Sequence, residues 1–150
     1  MNTHTTSTSP ADQTHWGNTA VDGLIAGVVA GIAMFGYLLV TVGEEPAVLL
    51  SRFAGAGFEA SPLLGGMTHL AICVIYGIIF ALIYRAANGS SSLVWRLISG
   101  LIYAGILFII SVGALLPAVQ SPILDIPVLH WGIGHAIYGI GLGLAYRPKR

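Results

Sequence analysis

Four stretches of this chain are apolar for about twenty residues each, and polar residues gather between them. They run over residues 21–42, 64–84, 93–116 and 126–146. A bilayer core about 30 Å thick is crossed by roughly 20 helical residues, so each stretch is long enough to cross once. Helix is the predicted state, because backbone N–H and C=O groups in lipid must be paired within their own segment. A spanning barrel would show short alternating strands, and these runs do not alternate. The pattern predicts an all-α, polytopic membrane protein with four transmembrane helices. Residues 1–20 read as a polar N-terminal tail, and residues 148–150 as a basic C-terminal end.

Composition agrees with that reading. Of 150 residues, 55% are hydrophobic and 8% are charged, with mean hydropathy +0.84. Soluble domains carry about 25% charged residues. The formal net charge is zero, so the basic footprint of a nucleic-acid binder is absent. A single cysteine, Cys73, excludes an internal disulfide. The first twenty residues contain no Lys or Arg, which argues against a cleaved signal peptide.

Orientation follows from the basic residues. Arg85 and Arg96 flank the loop between the second and third spans, and Arg147, Lys149 and Arg150 follow the fourth. An even number of spans puts that loop and both termini on one side, expected to be cytoplasmic in a bacterial inner membrane. The other side carries Glu44, Glu45, Glu59 and Asp125 against one Arg52. Trp16, Trp95, Tyr84 and Tyr146 lie near span ends, where aromatic belts form.

The spans repeat. Ile75-Tyr76-Gly77-Ile78 returns as Ile137-Tyr138-Gly139-Ile140, and Leu82, Tyr84 and Arg85 return as Leu144, Tyr146 and Arg147. Gly23-Leu24-Ile25 is matched by Gly100-Leu101-Ile102, and Gly36 by Gly113. Pro-Ala-Val follows both odd spans, at residues 46–48 and 117–119. A duplicated helical hairpin is expected, its pseudo-twofold axis along the membrane normal, as in parallel transporter repeats. Pro46 behind two glutamates suits a helix start, and predicts a short interfacial helix over residues 46–54 in the first outer loop. Residues 117–127 are its shorter counterpart.

Small residues are set for close helix packing in lipid. Gly27 with Gly31, Gly77 with Ala81, and Gly139 with Gly143 are small-xxx-small pairs. Faces not used within the chain are available to another subunit. Glu44 and Glu45 stand where the first span ends, placed to pair with Arg52.

Ionisable side chains inside spans are functional candidates. His69, His130 and His135 qualify, whereas His4 and His15 fall in the polar tail. Helical spacing puts His69, Cys73, Tyr76, Gly77, Phe80 and Tyr84 on one stripe, and Trp131, His135, Tyr138, Gly139, Leu142 and Tyr146 on another. Cofactor binding by His69, His135 or His130 would mean axial ligation of haem b or of a chlorophyll magnesium. His69 and His135 share the inward stripe but differ by about one turn in depth, and His130 points about 100° away from it. Zinc needs three or four ligands, which His69, Cys73 and His135 supply only if their stripes face closely. A histidine bonded to a neighbouring helix, or touching a quinone or lipid headgroup, is the plainer outcome. No cofactor is required by these spacings.

The repeated Gly-Leu-Ile openings, the His69 and His130 span starts and the Ile-Tyr-Gly stretches resemble small four-helix bacterial inner-membrane proteins classed as domains of unknown function. The likeness covers residues 21–147 or so, and implies the fold without any functional residue.

The expected function is a non-catalytic accessory or structural subunit of a larger membrane complex, respiratory or photosynthetic, with the lipid bilayer and other membrane subunits as partners. The chain offers no nucleophile–base set, phosphate loop or buried charge relay. The alternatives are a histidine-ligated b-type haem redox protein, and a small-solute or lipid transporter acting as an oligomer.

Overall fold

In a computed structural model of the chain, residues 10–57, 61–87 and 89–148 are described, with side chains from Trp16 onward. His4, Glu59, Lys149, Arg150 and the His15 side chain lie outside the described residues. The elements are α1 (Pro10–Val42), α2 (Pro46–Arg52), α3 (Pro62–Ala86), α4 (Leu93–Ile110), α5 (Leu116–Ala118) and α6 (Val128–Ala145). A π turn, Ser111–Leu115, joins α4 to α5, and a 3-10 turn, Pro122–Asp125, precedes α6. No strand occurs among the described residues.

Among the described residues, four helical segments are long and apolar enough to cross a membrane: Trp16–Val42, Pro62–Ala86, Leu93–Ala118 and Val128–Ala145. Prolines open α2 and α3 in their first turns, where no backbone N–H is needed. Gly43, at φ 73°, ends α1 in the left-handed region. Helix α1 starts at Pro10, well before the apolar stretch begins at Val21. Hydropathy marks where a helix meets lipid rather than where its hydrogen bonds stop. The early turns are held by α3: Arg85 donates to the Thr19 hydroxyl at 3.0 Å and lies 4.7 Å from the Trp16 ring centroid.

The helices are arranged as an open arc. Helix α1 packs on α3 and on α6, α6 also packs on α4, and α3 barely touches α4. The three crossings are built on small residues. A Cβ on Gly77 would stand 2.5 Å from the Gly23 carbonyl oxygen and 2.6 Å from the Gly27 Cα. A Cβ on Gly139 would stand 2.5 Å from the Gly100 oxygen and 2.8 Å from the Ala104 Cβ. Between α1 and α6, Gly141 lies against Ala30. Ala26, Ala30, Met34 and Leu38, spaced by four, form the buried stripe of α1.

One end of the arc is closed by aromatic rings. Phe80 lies between Tyr84, Tyr103 and Tyr146, with ring centroids 5.4–5.8 Å away. Arg96 donates to the Tyr146 carbonyl, tying the start of α4 to the end of α6. At the other end α2 folds back over α3, where Gly65 lies directly against the Leu50 carbonyl.

Candidate functional site

Where α3 and α4 diverge, a cavity of about 340 Å³ opens between them. Toward the aromatic end, the Tyr103 hydroxyl of α4 donates to the carbonyl of Tyr76 on α3 at 2.9 Å, and Tyr76 itself lines the cavity. Above that tie, α3 contributes Thr68, His69, Ile72 and Cys73, and the α4 side contributes Leu107, Ser111 and Leu115. Met34 of α1 and Trp131, His135 and Tyr138 of α6 form the back. Phe53 and Ala54, just after α2, cover the top together with Val119, Ser121 and Ile123. Ile72 and Leu115 line the cavity and are exposed.

The polar groups in this cavity have defined partners. His69 Nε2 donates to the Gly31 carbonyl of α1 at 3.1 Å. Its ring is held edge-on by Phe53 at 4.6 Å and touched by Phe35 at 5.8 Å. His135 Nδ1 donates to the Trp131 carbonyl one turn earlier, at 2.9 Å, and its ring packs against Trp131 and Phe108. Trp131 Nε1 donates to Ser111 Oγ at 3.1 Å, and Ser111 in turn donates to the Phe108 carbonyl at 2.8 Å. Tyr138 donates to the Cys73 carbonyl at 2.7 Å. His69, Cys73, His135 and Tyr138 are all buried.

His69 and His135 thus share one cavity, as their stripes suggested, and His130 does not. His130 faces α1, where its Nδ1 lies 3.1 Å from the Tyr37 hydroxyl. The Cys73 sulfur lies 3.7 Å from His69 Nε2 and 4.0 Å from Nδ1. The nearer nitrogen is engaged with Gly31, so it offers the thiol no lone pair. Among the described residues no group of three or more His, Cys, Asp or Glu is placed to hold a metal ion. His69, Cys73 and His135 therefore do not form a zinc-type triad. Among the described residues no acidic side chain lines the cavity. Chemically it is an apolar chamber with a few fixed hydrogen-bonding groups, the usual make-up of a small-molecule site.

The remaining sequence candidates lie elsewhere. Gly27 rests against the Cys73 carbonyl, and Gly31 against the Cys73 side chain. A Cβ on Gly23 would come 2.7 Å from the Ala81 methyl, and one on Gly143 would come 2.8 Å from Leu97 Cα. At the α2 end, Arg52 makes a two-point pair with Glu44, Nε to Oε2 at 2.8 Å and the second contact at 2.6 Å. Its other arm reaches Asp125 and the Pro122 carbonyl, each at 2.9 Å. The Arg52 hydrogen bond holds the Glu44 carboxyl below the usual carboxylate range, against the opposing effect of burial. Glu44 in return raises Arg52 above its ordinary value, with Asp125 adding to the effect. Glu45 is the N-cap of α2 without a side-chain cap bond.

Sequence reasoning did not find the Trp131–Ser111–Phe108 chain, the Tyr37–His130 contact or the role of Asp125. A serine inside an apolar run opposite a tryptophan is the only signal for the first. The others depend on which helices become neighbours.

No protein family, curated protein or solved structure matches this chain. The likeness to small four-helix inner-membrane proteins rests on its short motifs alone.

Proposed function

We propose that this chain is a non-catalytic accessory subunit of a larger membrane assembly, respiratory or photosynthetic, and that its working part is the cavity between α3 and α4, which holds an apolar small molecule. The observation that carries the reading is the divergence of these two helices around buried His69, His135 and Tyr138. A chamber with an apolar lining and a side opening suits a molecule that arrives through lipid. A partner subunit is favoured by the outward side of α4. Only Gly100 and Ala104 of that helix are buried, and added Cβ atoms on Gly105, and on Gly113 in the π turn that follows, would meet nothing within 4 Å.

The assignment to a bacterial inner membrane with cytoplasmic termini rests on the distribution of basic residues. In that frame α2 lies in the outer interface, anchored by Arg52. Matched contacts support the duplicated hairpin. Gly77 meets Gly23 as Gly139 meets Gly100. His69 bonds the Gly31 carbonyl, and at the equivalent positions Trp131 reaches the Phe108 carbonyl through Ser111.

Purification in mild detergent followed by native mass spectrometry tests the proposal. Co-eluting membrane subunits and a retained small apolar mass are expected. A lone monomer or homodimer carrying no added mass overturns it.

One observation favours a second reading, a histidine-ligated haem b: two of the three span histidines line the same cavity. Protein from haem-supplied cells without a Soret band excludes it.

A further inference from the structure

We infer that the cavity selects a ligand whose ring head donates hydrogen bonds, of the alkyl phenol or hydroquinone class, over one whose head only accepts them. This rests on the proposed small-molecule site and deepens it.

The placement of protons decides the preference. A backbone carbonyl can only accept, so the nitrogen that faces it must carry the hydrogen. His69 commits its Nε2 proton to Gly31, and His135 commits its Nδ1 proton to Trp131. In each neutral ring the second nitrogen is then a lone pair. Among the described residues, the hydrogen-bonding group near His69 Nδ1 is the Cys73 thiol, at 4.0 Å. His135 Nε2 has no hydrogen-bond partner among the described residues, and the residue is 8% exposed and lines the cavity. No acidic side chain among the described residues stands in the cavity to hold an imidazolium.

The neighbouring donors are committed as well. The single proton of Tyr138 goes to Cys73, that of Trp131 Nε1 to Ser111, and that of Ser111 to Phe108. Apart from the weak Cys73 thiol, hydroxyl protons remain to offer on Thr68, Tyr76 and Ser121. Thr68 and Ser121 lie toward the α2 end, and Tyr76 is a half-buried residue of α3. The α6 wall therefore presents acceptors. A hydroxyl hydrogen aimed at His135 Nε2 satisfies one of them. A quinone carbonyl at the same place brings two lone pairs together and leaves both groups unsatisfied.

The walls specify the rest of the ligand. Phe53 and Trp131 line the cavity and meet the His69 and His135 imidazoles edge-on, which suits a flat aromatic head. Ile72 and Leu115 line the cavity and are exposed, so an alkyl tail would leave sideways past them.

The test is calorimetric titration of the full chain in lipid nanodiscs, with empty nanodiscs subtracted. The probes are a decyl benzoquinol, its dimethyl ether and the corresponding decyl benzoquinone, with 4-ethylphenol as a tail-less arm. The quinol is expected to bind on the order of tenfold tighter than the ether or the quinone, the usual effect of one hydrogen bond to a buried group. A weaker 4-ethylphenol signal identifies the membrane-borne molecule as the source, and an equal one a free phenol. In His135→Phe the preference should collapse while quinone binding is retained. Saturable binding without preference for the quinol, or a preference that survives His135→Phe, overturns the donor inference and leaves the cavity reading standing. No saturable binding by any probe overturns both. If His135→Phe does not fold, the comparison of the three decyl probes on the unaltered chain decides alone.

Discussion

The Tyr138 hydroxyl donates a 2.7 Å hydrogen bond to the backbone carbonyl of Cys73, across the interior from α6 to α3. Gly27 of α1 lies against the same carbonyl. One peptide group of α3 is thereby fixed by two helices at the back of the cavity. Tyr138→Phe removes the bond and leaves the packing. Interhelical hydrogen bonds in membranes contribute about 0.6 kcal/mol on average, rising to about 1.7. A loss in that range is expected in denaturant titration from mixed micelles, and an unchanged midpoint would contradict this role.

Glycine substitutions separate crossings from open faces. Gly77→Ala drives a methyl into the backbone of Gly23 and Gly27, and Gly139→Ala drives one into Gly100. Neither neighbour has a flexible end that can move aside, so a loss of about 1–3 kcal/mol is expected. Gly36→Ala and Gly105→Ala meet nothing within 4 Å, and the gain in helix propensity should leave stability equal or slightly higher. Thermal unfolding of the four variants in one detergent checks the contrast. Similar losses at all four sites would refute it.

The Glu44–Arg52 pair predicts a pH dependence of definite sign. The hydrogen bond from Arg52 lowers the folded-state Glu44 pKa below its ordinary value of 4.5. The stabilisation is therefore fully present above about pH 4.5 and is lost as pH falls through the lower folded value. For a partly exposed pair the effect is about 0.2–1 kcal/mol. Unfolding midpoints of the native chain and Glu44→Gln should differ at pH 7 and draw together as pH falls below 4.5. A gap that persists at low pH would assign the effect to something other than charge.

Ile72 both lines the cavity and is exposed, which makes it the position at which to test access. Ile72→Trp adds bulk at the opening, while the residue remains outward and exposed. Occupancy by the decyl quinol should fall by on the order of tenfold, about 1.4 kcal/mol, with the helical circular dichroism signal unchanged. Undiminished occupancy would place the entrance elsewhere.

The sequence made the helices and their inward stripes legible for a simple reason. Residues that pack against other helices must recur every three or four positions, and His69, Cys73, Gly77, Phe80 and Tyr84 do so and are buried. Half of the candidate site was therefore readable as two stripes, one with His69 and Cys73 and one with His135 and Tyr138. The gap that turns those stripes into a cavity was not readable. Hydropathy scores lipid-facing and helix-facing isoleucine alike, so the separation of α3 from α4 leaves no trace in composition. Asp125 was placed on the same side as Arg52, but its contact was not readable for another reason: the pairing joins residues far apart in the chain. The start of α1 at Pro10 was not readable either, because a helix continues through polar residues once it has begun.

The π turn over Ser111–Leu115 sets the phase of every later residue on that segment. A wider turn holds one residue more than an α turn, and so rotates the succeeding residues by about one residue's angle, roughly 100°. Ser111 and Leu115 both border the cavity, with Leu116 and Val119 just beyond. Deleting a single residue from 112–114 would restore a continuous α-helix and turn that later group away from the opening. The mouth of the cavity is in this sense a matter of counting: which residues border it follows from the number of residues in one wide turn, independently of the side chains that line the back wall.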